Sequence, residues 1–159
     1  MKIIIDTREQ LPYAFASEYY EGTTTERDTL TVGDYSLAGL TDLVAVERKS
    51  LDDLLGCLTR ERERFERELQ RAAALESFMV VIEGSEDDLL GGKYRSRMNT
   101  HSAYQSIAAF EARYKGVRFR FAGDRGKGEY FTHSFLRQFL RETYKRLDYI
   151  KRAHGTQEE

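Results

Sequence analysis

Asp34, Glu47 and Lys49 carry the densest chemistry in this chain. Asp34 stands in the run Gly33-Asp34-Tyr35, Glu47-Arg48-Lys49 begins thirteen residues later, and Asp53 follows after three more residues. Two carboxylates suffice to share a divalent cation, because magnesium takes few protein ligands and keeps several waters. A cation held in this way polarises a phosphoryl oxygen and supplies hydroxide near neutral pH. Lys49 alongside would orient or deprotonate the attacking water, or stabilise charge on the phosphorane, and residue type leaves these roles open. The set is equipped for metal-assisted phosphodiester hydrolysis. A second acidic element, Asp6-Thr7-Arg8-Glu9, ends the first apolar run. Asp6 can join the metal shell directly or through water, and Glu9 is a weaker candidate for the same task. Taken singly each feature is bland: an E-x-K in a surface strand, Asp53 as a helix cap that pairs Arg48, Glu9 as a loop carboxylate. Their combination and order carry the reading.

Extended segments must bring these groups together. Residues 2–6 read as a buried strand, 7–22 as a loop, and 23–27 and 30–37 as short strands favoured by threonine. A turn at 38–42 returns the chain as a strand over 43–49, a hairpin. Alternate residues share a face, so Glu47 and Lys49 point one way and Val44, Val46 and Arg48 the other. Hairpin pairing then lets Asp34 and Glu47 converge on one cation, with the Arg48 carbonyl as a third ligand.

Ser50 reads as an N-cap with Asp52 and Asp53 in the first turn, where the helix dipole favours negative charge. A longer helix is expected over 60–76. The apolar run 78–82 suits a strand covered on both faces. Residues 84–98 read as a polar loop with a helical piece near 87–90, and a helix capped by Asn99 or Thr100 should run to about 114 and close at Gly116. A half-buried strand over 117–122 and a terminal helix over 132–153, burying Phe135, Phe139 and Leu140, complete the order. The fold class expected is α/β, a single domain over 1–154 with a mixed central sheet flanked by helices and a frayed tail at 155–159.

Composition agrees with one domain large enough to bury a core at 159 residues. Cys57 is the single cysteine, which excludes an intramolecular disulfide or a cysteine zinc cluster and suits a reducing compartment. The apolar start is far too short for a signal peptide and no window approaches a membrane span, so a soluble cytoplasmic protein with no membrane partner is expected. A net charge of −2 with 33% charged residues argues against a simple polycationic binder. It leaves room for a nuclease whose acidic site and basic surface cancel.

Together the motifs resemble the nuclease signature GD-x(n)-ERK-x3-D of the XPF/Hef family, a branch of the restriction-endonuclease-like PD-(D/E)xK fold. Gly33-Asp34, Glu47-Arg48-Lys49 and Asp53 match it, and Asp6-Thr7-Arg8-Glu9 matches the family's D-x-R-E element. The resemblance runs from residue 2 to about 83, and the remainder is similar to short standalone members from phages and bacteria. It implies a restriction-endonuclease-like mixed sheet and a Mg²⁺- or Mn²⁺-dependent DNA endonuclease, often acting on branched DNA, in repair or recombination. At the matching positions it implies Asp34, Glu47 and Asp6 as metal ligands and Lys49 as the water-activating group, with Arg48, Asp53, Arg8 and Glu9 completing the site. Larger relatives add a helicase domain and a helix-hairpin-helix dimer domain that this sequence lacks. They also carry an arginine and then a glutamine after the motif, where Arg62 and Glu66 stand here. Their pairing through nuclease domains implies a homodimer, with the aromatic terminal helix as one surface, or a separate protein partner. The rival reading is an inactive pseudonuclease serving as a DNA-binding or dimerisation module, which retention of every motif position disfavours.

Nucleic-acid contacts are sought among exposed cations. Leu58, Phe65, Leu69 and Ala72 make an apolar stripe on the expected 60–76 helix, with Arg60, Arg64, Arg67 and Arg71 opposite. Such a row could follow a phosphate backbone, but pairs Glu63–Arg67 and Arg64–Glu68 would make it an ordinary solvated face, the reading taken for most of it. Arg62 differs, since it falls near the apolar stripe and can reach the active-site side. Lys93, Arg95 and Arg97 flank Tyr94 in a glycine-loosened loop suited to contacting a strand. Arg118 and Arg120 share an outward strand face, and Arg125 and Lys127 follow in a glycine-rich turn. No histidine reads as a ligand, and Tyr35 is the tyrosine singled out for contact with DNA.

Overall fold

The computed structural model describes residues 1–155. Six strands form one sheet in the order β2-β1-β3-β4-β5-β6. They are β1 (Lys2–Asp6), β2 (Thr24–Asp28), β3 (Tyr35–Leu37), β4 (Val44–Ser50), β5 (Ser77–Glu83) and β6 (Val117–Phe121). Pairs β1–β2, β4–β5 and β5–β6 are parallel, whereas β1–β3 and β3–β4 are antiparallel, so the sheet is mixed. Among the described residues five α-helices, α1 (Leu51–Leu58), α2 (Arg62–Ala72), α3 (Glu86–Leu90), α4 (Thr100–Arg113) and α5 (Arg125–His154), and one 3-10 turn at Glu18–Tyr20 complete the order.

Strand parity sorts the side chains into two cores. Ala45 of β4 and Phe78, Val80 and Ile82 of β5 pack with α1, α2 and α4 on one face. Val44, Val46, Met79 and Val81 pack with Tyr13, Phe15, Tyr35 and Leu136 of α5 on the other. With both faces covered, β5 needs apolar residues at every position, which accounts for its unbroken run. In β4 the same parity carries Glu47 and Lys49 to the α1–α2 face and Arg48 to the α5 face.

Three boundaries differ from the sequence expectation. The extended stretch 30–37 shortens to Tyr35–Leu37 because Gly33 turns the chain at φ +81°. The helix expected over 60–76 shortens to Arg62–Ala72, separated from α1 by a break. Thr59 leaves the helical region at the end of α1, and its hydroxyl donates to the Leu55 carbonyl at 2.8 Å. Leu58 therefore closes α1 and does not begin the stripe of α2. The terminal helix starts seven residues early, where Asp124 caps it by accepting from the Lys127 amide at 2.8 Å. Arg125 and Lys127 consequently sit in the first turn of α5 and not in a glycine-rich turn. Arg118 and Arg120 lie over the Phe135 and Phe131 rings of the same helix. Gly155 ends α5 at φ +74°, and the rest of the expected tail, 156–159, lies outside the described residues. Among the described residues no helix is long and apolar enough to cross a membrane.

Gly128 explains why glycine was admitted into α5. A Cβ there would collide with the Tyr13 hydroxyl oxygen, which donates to Glu83 Oε1 at 2.9 Å. Gly128→Ala gains up to about 1 kcal/mol of helix propensity but loses more to this overlap, for a net destabilisation of about 1–2 kcal/mol. Chemical denaturation of Gly128→Ala in the wild-type and Tyr13→Phe backgrounds checks it. The alanine should be costly in the first and largely tolerated in the second, and equal cost in both would contradict the account.

Candidate active site

Asp34 is fixed by backbone. Its amide donates to the Val46 carbonyl at 2.7 Å and its carbonyl accepts from the Asp6 amide at 2.8 Å, wedging the residue between β1 and β4. Its Oδ2 accepts from the Arg48 amide at 2.7 Å. Gly33 permits this seat twice over: its φ is positive, and a Cβ would stand 3.0 Å from the Val46 carbonyl oxygen.

Asp34, Glu47 and Lys49 line one cleft of about 370 Å³, together with Asp6, Arg8, the Thr31–Val32–Gly33 turn, Glu61 at the N-cap of α2 and the α2 side chains Arg64, Glu68 and Arg71. Lys49 Nζ donates to Glu47 Oε1 at 2.9 Å and sits 5.3 Å from the centre of the Phe65 ring. Burial raises the Asp34 carboxyl to about 6, against the pull of the Arg48 amide. Burial also pushes Glu47 well above the usual carboxylate range, against the attraction of Lys49. Burial disfavours the Lys49 ammonium, but the adjoining Glu47 carboxylate outweighs it and raises the lysine. The cleft lining sets five carboxylates against Arg8, Lys49, Arg64 and Arg71. Among the described residues Lys49 is the cationic side chain bonded to the Asp34–Glu47 pair, a local excess of negative charge that a divalent cation relieves. Among the described residues no three acidic, histidine or cysteine side chains converge on one point. The two-carboxylate donor set fits a hard cation that keeps most of its waters.

Asp6 lines the same cleft, but its oxygens are occupied. Oδ1 accepts from the Arg8 amide and Nε at 2.9 and 2.8 Å, and Oδ2 from Arg8 Nη2 and the Leu30 amide at 3.1 and 2.8 Å. Burial works against the Asp6 carboxylate, yet the Arg8 bonds prevail and hold its pKa low. With each oxygen already accepting two bonds, Asp6 anchors Arg8 and the turn carrying Asp34. Arg8 feels the charge of both Asp34 and Glu47.

Arg48 and Glu9 lie behind the strand. Arg48 donates to Glu9 Oε1 and Oε2 at 3.1 Å each and to both Glu83 oxygens at 3.4 Å. Glu9 is therefore engaged by Arg48 behind the strand and does not line the cleft. Asp53 receives the Ser50 hydroxyl at 2.7 Å, does not pair Arg48, and lies outside the cleft lining. Tyr35 is 0% exposed, stacks on Tyr13 and accepts from the Tyr13 amide, so it cannot meet DNA. Arg62 turns away from the cleft, donating to Ser106 Oγ at 3.0 Å beside the Phe110 ring. Lys93 pairs Asp88, Arg95 pairs Asp52, and Tyr94 donates to the Met98 carbonyl. That loop, with exposed Arg97, is anchored to α1 and α3 and does not line the cleft. The sequence reading passed over Glu61 and assigned Arg64, Glu68 and Arg71 mostly to a solvated face, whereas all four line the cleft.

The strain of burying Asp34 has a sign. Its carboxyl titrates near 3.8 when unfolded and near 6 when folded, so the metal-free fold loses stability as pH rises through that window. Asp34→Asn should therefore melt higher than wild type at pH 7.5 in chelator, by on the order of 1–3 kcal/mol. The gap should close near pH 4. Calorimetric melts across that range check it, and a variant less stable at pH 7.5 would contradict it.

Comparison with known proteins adds three findings. A model of the ERCC4 domain matches residues 5–135. The fold aligns with XPF from Aeropyrum pernix at a TM-score of 0.68 and 24% identity, covering 87% of this chain and 61% of that one. It aligns with XPF from Aeropyrum pernix in complex with DNA at a TM-score of 0.69 and 26% identity, covering 89% and 66%. This chain spans less than two thirds of either. No curated protein matches it.

Proposed function

This chain belongs to the ERCC4 domain family, and we propose that it is a divalent-metal-dependent endonuclease that hydrolyses phosphodiester bonds in DNA. The carrying observation is that Asp34, Glu47 and Lys49 share one polar cleft with Arg8. The DNA-bound state of a solved relative, XPF from Aeropyrum pernix, supports DNA as the polymer. The motif resemblance extends the proposal to DNA that is branched or partly single-stranded, in repair or recombination. Residues 1–154 are taken as the nuclease domain.

Asp34 and Glu47 would hold Mg²⁺ or Mn²⁺. When bound, the ion supplies Lewis-acid polarisation and acidifies water. Asp34 keeps one oxygen hydrogen-bonded to the Arg48 amide, which leaves the other for the ion. Lys49 holds its proton beside Glu47 and is suited to donate to a non-bridging oxygen or the incoming water. Arg8, braced by Asp6, offers a guanidinium to the phosphate. Arg48, bonded to Glu9 and Glu83, positions the strand from behind.

Asp34→Asn and Glu47→Gln should each lower cleavage of labelled branched, single-stranded and duplex DNAs by about 10²-fold or more, the scale of losing a principal electrostatic group. Excess chelator should do the same to wild type. Full cleavage by either variant, or in chelator, would overturn the proposal.

A further inference from the structure

The arginine row of α2 remains unexplained by this chemistry. Arg64, Arg67 and Arg71 follow one another at spacings of three and four, a stripe on one side of the helix. Both Arg64 and Arg71 line the cleft, and Arg64 and Arg67 continue into the adjoining groove. The intrahelical pairs that would neutralise this row, Glu63–Arg67 and Arg64–Glu68, do not form. Glu66 is drawn to Arg62 and Arg113 on the far flank, and Glu68 instead lines the cleft, where its charge acts on Lys49 and Glu47. Arg64 meets Glu61 only at 3.8 Å with its side chain 77% exposed, a contact worth little. Arg67 and Arg71 enter no ion pair among the described residues.

From this we infer that Arg64, Arg67 and Arg71 form a track for the phosphate backbone of one DNA strand, leading it along α2 into the cleft. The inference builds on the nuclease reading and names residues that reading leaves out. A helix rises about 1.5 Å per residue, so Arg64 to Arg71 spans about 10.5 Å. One strand of a duplex advances about 3.4 Å per nucleotide, so the track subtends about three phosphates. Arg8 lines the same cleft, bonded to the Leu30 carbonyl just before the Thr31–Gly33 turn, and offers a strand on the track a further cation from outside α2. The occupant must be a polyanion, because the ridge exposes charge with no large apolar surface beside it. Such contacts set affinity and register without reading sequence.

The test is fluorescence anisotropy of a labelled DNA duplex with the full chain in chelator, across a salt series. The triple variant Arg64→Gln/Arg67→Gln/Arg71→Gln is compared with Arg141→Gln/Lys151→Gln/Arg152→Gln, which removes equal charge from the second half of α5. Each lost phosphate contact flattens the log–log salt slope by about 0.9. The α2 variant should lose about 2–3 from the slope and bind tenfold or more weakly at about 0.1 M salt, whereas the α5 variant should keep the wild-type slope. Thermal melts exclude unfolding as the cause. An unchanged slope in the α2 variant, an equal loss in both variants, or no salt-sensitive binding by wild type would overturn the inference. Wild-type protein that binds through the track but fails to cleave with metal would sustain it while the nuclease reading falls.

Discussion

The seat of Asp34 is the constraint on which the rest depends. Three short hydrogen bonds to backbone hold it, from its amide to Val46, to its carbonyl from Asp6, and to its carboxylate from the Arg48 amide. Together they join β1, β3 and β4 at one point. Because the bonds involve backbone, they fix the carboxylate relative to β4, and strand parity then places Glu47 and Lys49 on the same face. Gly33 is the residue that makes the seat accessible. A side chain there would demand both a left-handed backbone and room that the Val46 carbonyl already occupies.

The sheet divides labour between its faces. On the α1–α2 side, carboxylates are kept buried and ill-compensated, a stability cost that makes sense at a functional site. On the α5 side, Arg48 bonds to Glu9 and Glu83, and Tyr13 and Arg125 close around Glu83. These groups satisfy one another and tie the 9–13 segment and the start of α5 to the back of β4. Mutating the rear network should loosen the site without removing any group that faces the cleft.

Much of this was legible in the sequence because it follows from period and order. The hairpin, the parity of Glu47 and Lys49, the doubly covered β5 and the mixed α/β layering all come from alternation and turn residues. What was not legible came from tertiary partners. Tyr35 follows Asp34 directly, so adjacency suggested a surface role, but parity sends it into the core against Tyr13. Arg62 was misplaced because the break at Thr59 resets helical phase, so counting from Leu58 across it gave the wrong flank. Gly126 and Gly128 read as a turn, since nothing local reveals that Tyr13 presses on the helix there. Asp6 and Glu9 looked like free acids because their consumption by Arg8 and Arg48 is a matter of three-dimensional pairing. Which flank of α2 meets the cleft was hidden for the same reason, and with it Arg64 and Arg71.

The central claim is that Asp34 and Glu47 share one divalent cation. Titration calorimetry with Mn²⁺, repeated in buffers of different ionisation enthalpy, tests it without recourse to cleavage. Because burial holds both carboxyls above their ordinary range, ion binding must expel protons, and more of them as pH falls from 8 to 6. The account predicts a saturable site with that proton release in wild type, weakened at least about tenfold in Asp34→Asn and in Glu47→Gln, each of which removes one charged ligand. Binding of equal strength in either variant, or no site in wild type, would contradict it.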